Sequence, residues 1–213
     1  MFAGDFIVVF VIDDYLDGVF ERVIDVYKDD PTAPFYFGDG LRVDEGGAVI
    51  KNFFPPGTTT FDRQALVLGL NYILQPSAFI NRRSLEQAGY LDVQLHYGMD
   101  SDLWMRLSNI GMPRVVSAAL SATREYAMTK TAEGSFERVE ELRKISMKHS
   151  GLPITPGVLC YLFDVLHRTA QQHEDVFPPF YLTDVVQLWE KTQKLFDIFN
   201  ARPDGFPRNP KEK

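Results

Sequence analysis

The sequence is poor in cysteine, has no long apolar run and carries no basic excess. Cys160 is the one cysteine in 213 residues. No intrachain disulfide can form, and the composition fits a reducing compartment. Leu159, Tyr161, Leu162 and Phe163 around it are apolar, which predicts a buried, inert thiol. The longest apolar run, residues 6–12, is far too short to span a bilayer. Asp5 precedes it and no cationic leader does, which argues against a signal peptide. The net charge is −7, and the first 60 residues hold 11 Asp and Glu against 4 Lys and Arg. The remainder holds 18 of each. A nucleic-acid partner therefore finds no electrostatic footprint. An acidic front suits a cation, or is a solvated surface. The expected location is the cytoplasm, with attachment to a membrane surface left open.

Core material, by contrast, is ample. Hydrophobic residues make up 45% of the chain and charged residues 24%, with 17 Phe and 9 Tyr. These values describe an ordinary globular protein and exclude a disordered chain, a coiled coil or a collagen-like fibre.

The order of elements predicts an α/β fold. Residues 6–12, rich in β-branched side chains and without polar alternation, read as a strand buried on both faces, ended by Asp13 and Asp14. Phe20, Val23, Ile24 and Tyr27 recur at helical spacing, with Asp17 as N-cap. Phe35-Tyr36-Phe37 is a second strand, so the unit is βαβ and implies a parallel sheet. Gly38-Asp39-Gly40 and Asp44-Glu45-Gly46-Gly47 read as turns, and residues 48–53 as a short strand. Ser84 to Gln87 fits a capping box, with Gly89 as a stop. A helix is expected at 100–111, a returning strand at 114–116, and another helix from Ser135 to Gly151. Residues 151–157 form the boundary before two further helices at 158–173 and 183–199. The expected domains are 1–150, a helical extension at 151–201 and a frayed tail at 202–213.

Two acidic groups could carry chemistry. Asp13 and Asp14 lie at the carboxyl end of a strand, where open α/β sheets bind ligands. Mg²⁺ or Mn²⁺ would offset their repulsion and bridge to a diphosphate. The plainer reading makes one a helix cap and the other a solvated acid. Asp100 sits at a helix start, where the dipole favours ionisation, and an ionised carboxylate there can take a proton from a hydroxyl. The plainer reading is an N-cap, with Asp102 and Arg106 as an exposed i, i+4 ion pair. Arg124 and Lys130 either meet a phosphate or face water. His149, His167 and His173 read as structural, and Trp104 and Trp189 as core.

The series Asp13-Asp14-Tyr15-Leu16, Tyr36-Phe37-Gly38-Asp39-Gly40, Gln75-Pro76-Ser77-Ala78-Phe79-Ile80-Asn81-Arg82-Arg83, Gly89-Tyr90-Leu91-Asp92 and Tyr97-Gly98-Met99-Asp100-Ser101-Asp102-Leu103-Trp104-Met105-Arg106-Leu107 resembles the second half of family 2 glycosyltransferases with the GT-A fold. The resemblance covers about residues 8–148 and is most specific from Gln75 to Leu107. It implies a mixed sheet with flanking helices and an inverting transfer of sugar from a nucleotide-sugar donor to a hydroxyl acceptor on a glycan or lipid. Asp13 and Asp14 match the metal-binding acids, for Mg²⁺ or Mn²⁺, and Asp100 the general base. Gln75, Pro76 and Ser77 match the acceptor-side wall, with Asp102 also on the substrate side. Arg124 and Lys130 fall in the segment behind. The family's opening nucleotide-binding strands have no counterpart, Val11 and Ile12 replace a polar position, and Tyr126 stands where a His is common. A fragment or truncated transferase is therefore one expectation. The other is a non-catalytic remnant that binds sugar or associates, even with itself, through an open sheet edge at residues 6–12.

Overall fold

The computed structural model describes residues 6–8, 14–54, 57, 59–124, 136–172 and 187. Their strands form one open, mixed sheet with helices on both faces. The strands are β1 (Phe6–Val8), β2 (Asp14–Tyr15), β3 (Phe35–Val43), β4 (Val49–Asn52), β5 (Ala78–Asn81) and β6 (Arg114–Arg124). The sheet order is β1-β5-β3-β6-β2, with β4 paired to the far half of β3.

The parallel-sheet expectation holds only in part. β3 and β6 pair in parallel, whereas β1 pairs antiparallel with β5, and β5 antiparallel with β3. β1 and β3 thus run in the same direction with β5 between them. After β1 the chain reaches the opposite end of the sheet, where Asp14 and Tyr15 pair antiparallel with Ala122 and Ser121 of β6. β1 and β2 are the two ends of this strand order.

Both faces of β3 are covered, which explains its lack of polar alternation. Tyr36 faces α1 (Val19–Asp29), joining Val19, Val23, Phe79 and Leu120. Phe35 and Phe37 face the other layer, where Trp104, Leu103 and Leu107 of α4 (Met99–Leu107) pack. Trp104 is a core residue as expected, with its ring centroid 5.2 Å from that of Phe35. The inward stripe of α1 is Val19 and Val23, while Phe20 is largely exposed. Gly18, not Asp17, is the N-cap.

Gly38-Asp39-Gly40 is not a turn but the middle of β3. Its glycines answer a demand for space. A Cβ on Gly38 would lie 2.6 Å from the Ala118 carbonyl oxygen, and one on Gly40 2.2 Å from a Leu74 methyl. Here glycine permits close approach of backbone and side chain rather than chain reversal.

α2 (Arg63–Val67), α4 and α5 (Phe136–Ser150) share the second layer. The short helix after Ser77 is α3 (Arg82–Ala88). Asn81 caps it, Gly89 ends it at φ 89°, and Ser84 lies inside it rather than at its cap. Gly151 follows α5 at φ 73°. α6 (Pro156–Gln172) then packs on α5 through Val139, Val158 and Val165. The Gly157 N–H donates to the Leu68 carbonyl at 3.1 Å. The helix expected at 183–199, apart from Gln187, and the tail at 202–213 lie outside the described residues. Among the described residues, no helix is long and apolar enough to cross a membrane.

Candidate functional site

The residues that gather chemistry lie at the start of α4. Gly98 is its N-cap and offers no side chain to the exposed N–H groups of the first turn. A Cβ there would lie 2.5 Å from the Ile145 Cδ1 methyl. The loop therefore lies flush against α5. Glu141 of α5 holds the backbone just before the helix instead. Its Oε2 accepts the His96 N–H at 2.8 Å, and its Oε1 accepts those of Tyr97 and Gly98 at 2.7 Å each.

Asp100 follows two residues later. Its Oδ1 accepts the Ser101 N–H at 2.7 Å, and the Asn71 side chain also hydrogen-bonds to the carboxyl. Burial pushes the carboxyl above its ordinary 3.8, opposed by the Ser101 and Asn71 hydrogen bonds. The helix-dipole argument alone favours ionisation; in this setting desolvation outweighs it. Beside Asp100 stands Tyr161 of α6, with the Arg138 guanidinium 4.3 Å above its ring. A cavity of about 10 Å³ is lined by Asn71, Ser101, Ser146 and Tyr161 among others. It has room for about one water. Asn71 Oδ1 is buried with no hydrogen-bond partner among the described residues.

Asp102 behaves in the opposite way. Its side chain is fully buried. Oδ2 accepts Arg106 Nε at 2.8 Å, and Oδ1 meets Lys148 Nζ at 2.7 Å and His149 Nε2 at 2.8 Å. Burial alone would raise this carboxyl, but hydrogen bonds from His149, Lys148 and Arg106 hold it well below the ordinary range. The i, i+4 pair with Arg106 forms as its spacing predicts, but as part of an interior cluster rather than an exposed pair. Arg106 also donates to the Ala88 and Tyr90 carbonyls at 2.6 Å each. Asp102 thus joins α3, α4 and α5, with both oxygens engaged by the protein.

No family model matches the chain, and no curated protein matches it in sequence. The placement of each expected site residue therefore rests on geometry. Asp13 and Lys130 lie outside the described residues. Asp14 is 61% exposed, and Arg124 Nη2 donates to its Oδ2 at 2.6 Å. Arg124 also donates to the Glu45 carbonyl at 3.1 Å, tying β6 to the β3–β4 turn. Asp14 and Asp100 belong to different elements and hold different partners. Among the described residues, no group of three or more His, Cys, Asp or Glu is placed to hold a metal ion. Of the expected pair, Asp14 is the described member; its exposed carboxylate is a hard oxygen donor of the kind Mg²⁺ or Mn²⁺ takes, with one oxygen engaged by Arg124.

Gln75, Pro76 and Ser77 form a 3₁₀ turn leading into β5. Pro76 and Ser77 are buried, and Gln75 is half-buried. The Ser77 hydroxyl donates to the Asp39 carbonyl at 2.7 Å and lies 2.8 Å from the Ser121 hydroxyl. This turn locks β5 against β3 and β6. Asp39 itself is 7% exposed, and its Oδ1 accepts the Gly40 and Phe54 N–H groups. Burial raises its carboxyl above the ordinary value.

Asn71, Glu141 and Asp39 are the residues that sequence reasoning missed. No local pattern marks Asn71, which follows the φ 81° turn at Gly69. Glu141 sits among other charges on a helix and resembles a solvated position. Asp39 carried a signal, two flanking glycines, which also fits a turn.

Proposed function

We propose that this chain is a glycosyltransferase unit that moves a sugar from a nucleotide-sugar donor to a hydroxyl acceptor with inversion. The observation that carries the reading is the state of Asp100, the residue that matches the family's general base. It is a desolvated carboxyl at a helix start, held by Asn71 and Ser101 beside a small cavity. A carboxyl raised by burial is a stronger base than an ordinary aspartate once ionised.

In the reaction, Asp100 takes the proton from the acceptor hydroxyl. The freed oxygen pair forms a bond to the anomeric carbon while the bond from that carbon to the diphosphate breaks. The diphosphate leaves with that electron pair, and the opposite face of attack inverts the centre. Asp14, with Asp13, would hold the Mg²⁺ or Mn²⁺ ion. That cation supplies positive charge against the departing diphosphate when bound. Arg124, paired with Asp14, would meet the phosphate in this reading. Gln75 is the accessible residue of the expected acceptor wall.

A second reading draws on the sheet. Among the described residues β1 is an end strand, so the chain could act as an association module that accepts a further strand.

Calorimetry with a nucleoside diphosphate and Mn²⁺, followed by a transfer assay over a panel of nucleotide sugars, tests the proposal. Binding with turnover is expected, and Asp100→Asn should lower kcat by about 10²- to 10⁴-fold with little change in KM. The acidic limb of the kcat/KM profile should lie above the ordinary Asp value of 3.8. No heat at millimolar ligand and no turnover with any donor would overturn the reading.

A further inference from the structure

We propose that Glu141 is the positioning residue of the Asp100 site, fixing through its carboxylate the loop from which α4 starts. The inference rests on the reading of Asp100 as general base, and it names a device that neither sequence motif nor family resemblance supplied.

Three consecutive backbone N–H groups, those of His96, Tyr97 and Gly98, converge on one carboxylate at 2.7–2.8 Å. A carboxylate that accepts several backbone donors makes strong, directional bonds. It also places negative charge at the positive end of α4. Gly98 allows this loop to lie flush on α5, where Leu142 and Ile145 occupy the space a side chain would take. Asp100 follows directly, so the loop that Glu141 holds sets the height and rotation of the first turn of α4.

Seven and eight residues beyond Glu141, Lys148 and His149 of the same helix grip Asp102. α5 therefore fastens the turn on both sides of Asp100. Asn71, Ser101, Tyr161 and Arg138 surround the carboxyl from other elements. None of these joins the 96–98 backbone to α5 in the way Glu141 does. A proton acceptor must meet its hydroxyl within hydrogen-bond reach, and displacement of about 1 Å can cost about 10²-fold in rate.

The test uses the full chain with Glu141→Gln and Glu141→Ala. Gln keeps Oε1 for Tyr97 and Gly98 but loses the charge and the bond from the His96 N–H, whereas Ala removes every bond. Carboxyl carbon NMR reads the titration of Asp100, assigned by its loss in Asp100→Asn. In Ala, the Asp100 midpoint should fall toward 3.8 as water enters, and the 96–98 amide signals should shift. Its kcat should drop about 10- to 100-fold at nearly constant KM, while Gln stays within about threefold of wild type. Equal effects in Gln and Ala would show that charge alone acts and would overturn the positioning role. So would a folded Ala variant with unchanged Asp100 titration and amide shifts. If Ala does not fold, Glu141→Asp, whose shorter arm cannot reach all three donors, replaces it with the same expected order. If wild type shows no turnover, the transferase reading fails by itself and the NMR arm still decides what Glu141 holds. If wild type turns over and a folded Ala variant keeps its kcat, the positioning role fails while the base assignment stands.

Discussion

Replacing Asp102 by Asn tests whether the charge cluster beneath α4 is structural. The two side chains have nearly the same shape, so the change isolates charge and hydrogen-bond direction. Three donors converge on Asp102, and whichever way the Asn amide turns, its NH₂ faces at least one of them. Lys148 contributes little to the cost, because its side chain is 51% exposed and water takes over. Arg106 keeps its bonds to the Ala88 and Tyr90 carbonyls but loses a charge partner at 18% exposure. His149, at 8% exposure, loses the carboxylate oxygen that its Nε2 meets at 2.8 Å. Breaking a buried pair by removing one partner costs about 3–5 kcal/mol. With Lys148 discounted and Arg106 still held, about 3 kcal/mol is expected. Urea unfolding at pH 7 should show a lower midpoint with an unchanged m value. The pH dependence gives a second check. The Asp102 carboxyl is lowered in the fold, so the unfolded chain takes up its proton first as pH falls. The stabilisation is fully present above the ordinary carboxylate value and is lost as pH falls through the lowered one. The gap between wild type and variant should hold from pH 7 to about pH 5 and close below about pH 4. A loss below about 0.5 kcal/mol at pH 7 would refute the structural role.

Two further substitutions probe the packing that carries the site. Asp39→Asn keeps an oxygen for the Gly40 and Phe54 N–H groups and removes a buried charge. Because the Asp39 carboxyl is raised, the native protein binds its proton more tightly than the unfolded chain, and its stabilisation is lost as pH rises through the raised value. The variant should therefore match or exceed wild-type stability at pH 7 and lose that advantage by about pH 4, as read by thermal melts. A clear loss at pH 7 would show that the second carboxylate oxygen has an essential partner. Gly157→Ala places a Cβ 2.0 Å from the Gly69 carbonyl oxygen, a contact with backbone that cannot swing aside. It should cost about 2 kcal/mol or more and raise hydrogen exchange in α6; an unperturbed melt would show that α6 docks elsewhere.

Local signals in the sequence are legible where one force dominates. Gly89 and Gly151 stop helices because both take positive φ, and Trp104 is core because it packs on Phe35 within the larger apolar cluster. Cys160 is half-buried rather than fully buried, and burial still pushes its thiol up to about 11. Errors arose where one pattern serves two ends. Glycines around Asp39 signal a turn and also a close approach between β3 and β6, and only the tertiary neighbours distinguish them. Strand–helix–strand order implied parallel neighbours, yet β5, some 70 residues later in the chain than β1, slots between them. Long-range insertion of that kind leaves no mark on local periodicity. Asp100 was legible as a candidate, but its surroundings were not. Asn71 and Glu141 come from segments 29 residues before it and 41 after it.

The first turn of α4 holds two aspartates whose environments push them apart. Asp102 is drawn down by three cationic or imidazole donors, while Asp100 is pushed up by burial with no cation bonded to its carboxyl among the described residues. Helix geometry alone would treat both alike, since the two acids stand two residues apart near the same positive helix end. The difference comes from α5, which offers Lys148 and His149 to one acid and a backbone-gripping carboxylate, Glu141, to the loop before the other. Under the proposed function such divergence would separate tasks, the ionised partner anchoring and the desolvated one taking the proton. A carboxyl raised by desolvation costs stability at neutral pH, a cost that Asp39 carries as well. The proposed base role predicts that Asp100→Asn stabilises the fold at pH 7 while lowering kcat by about 10²- to 10⁴-fold.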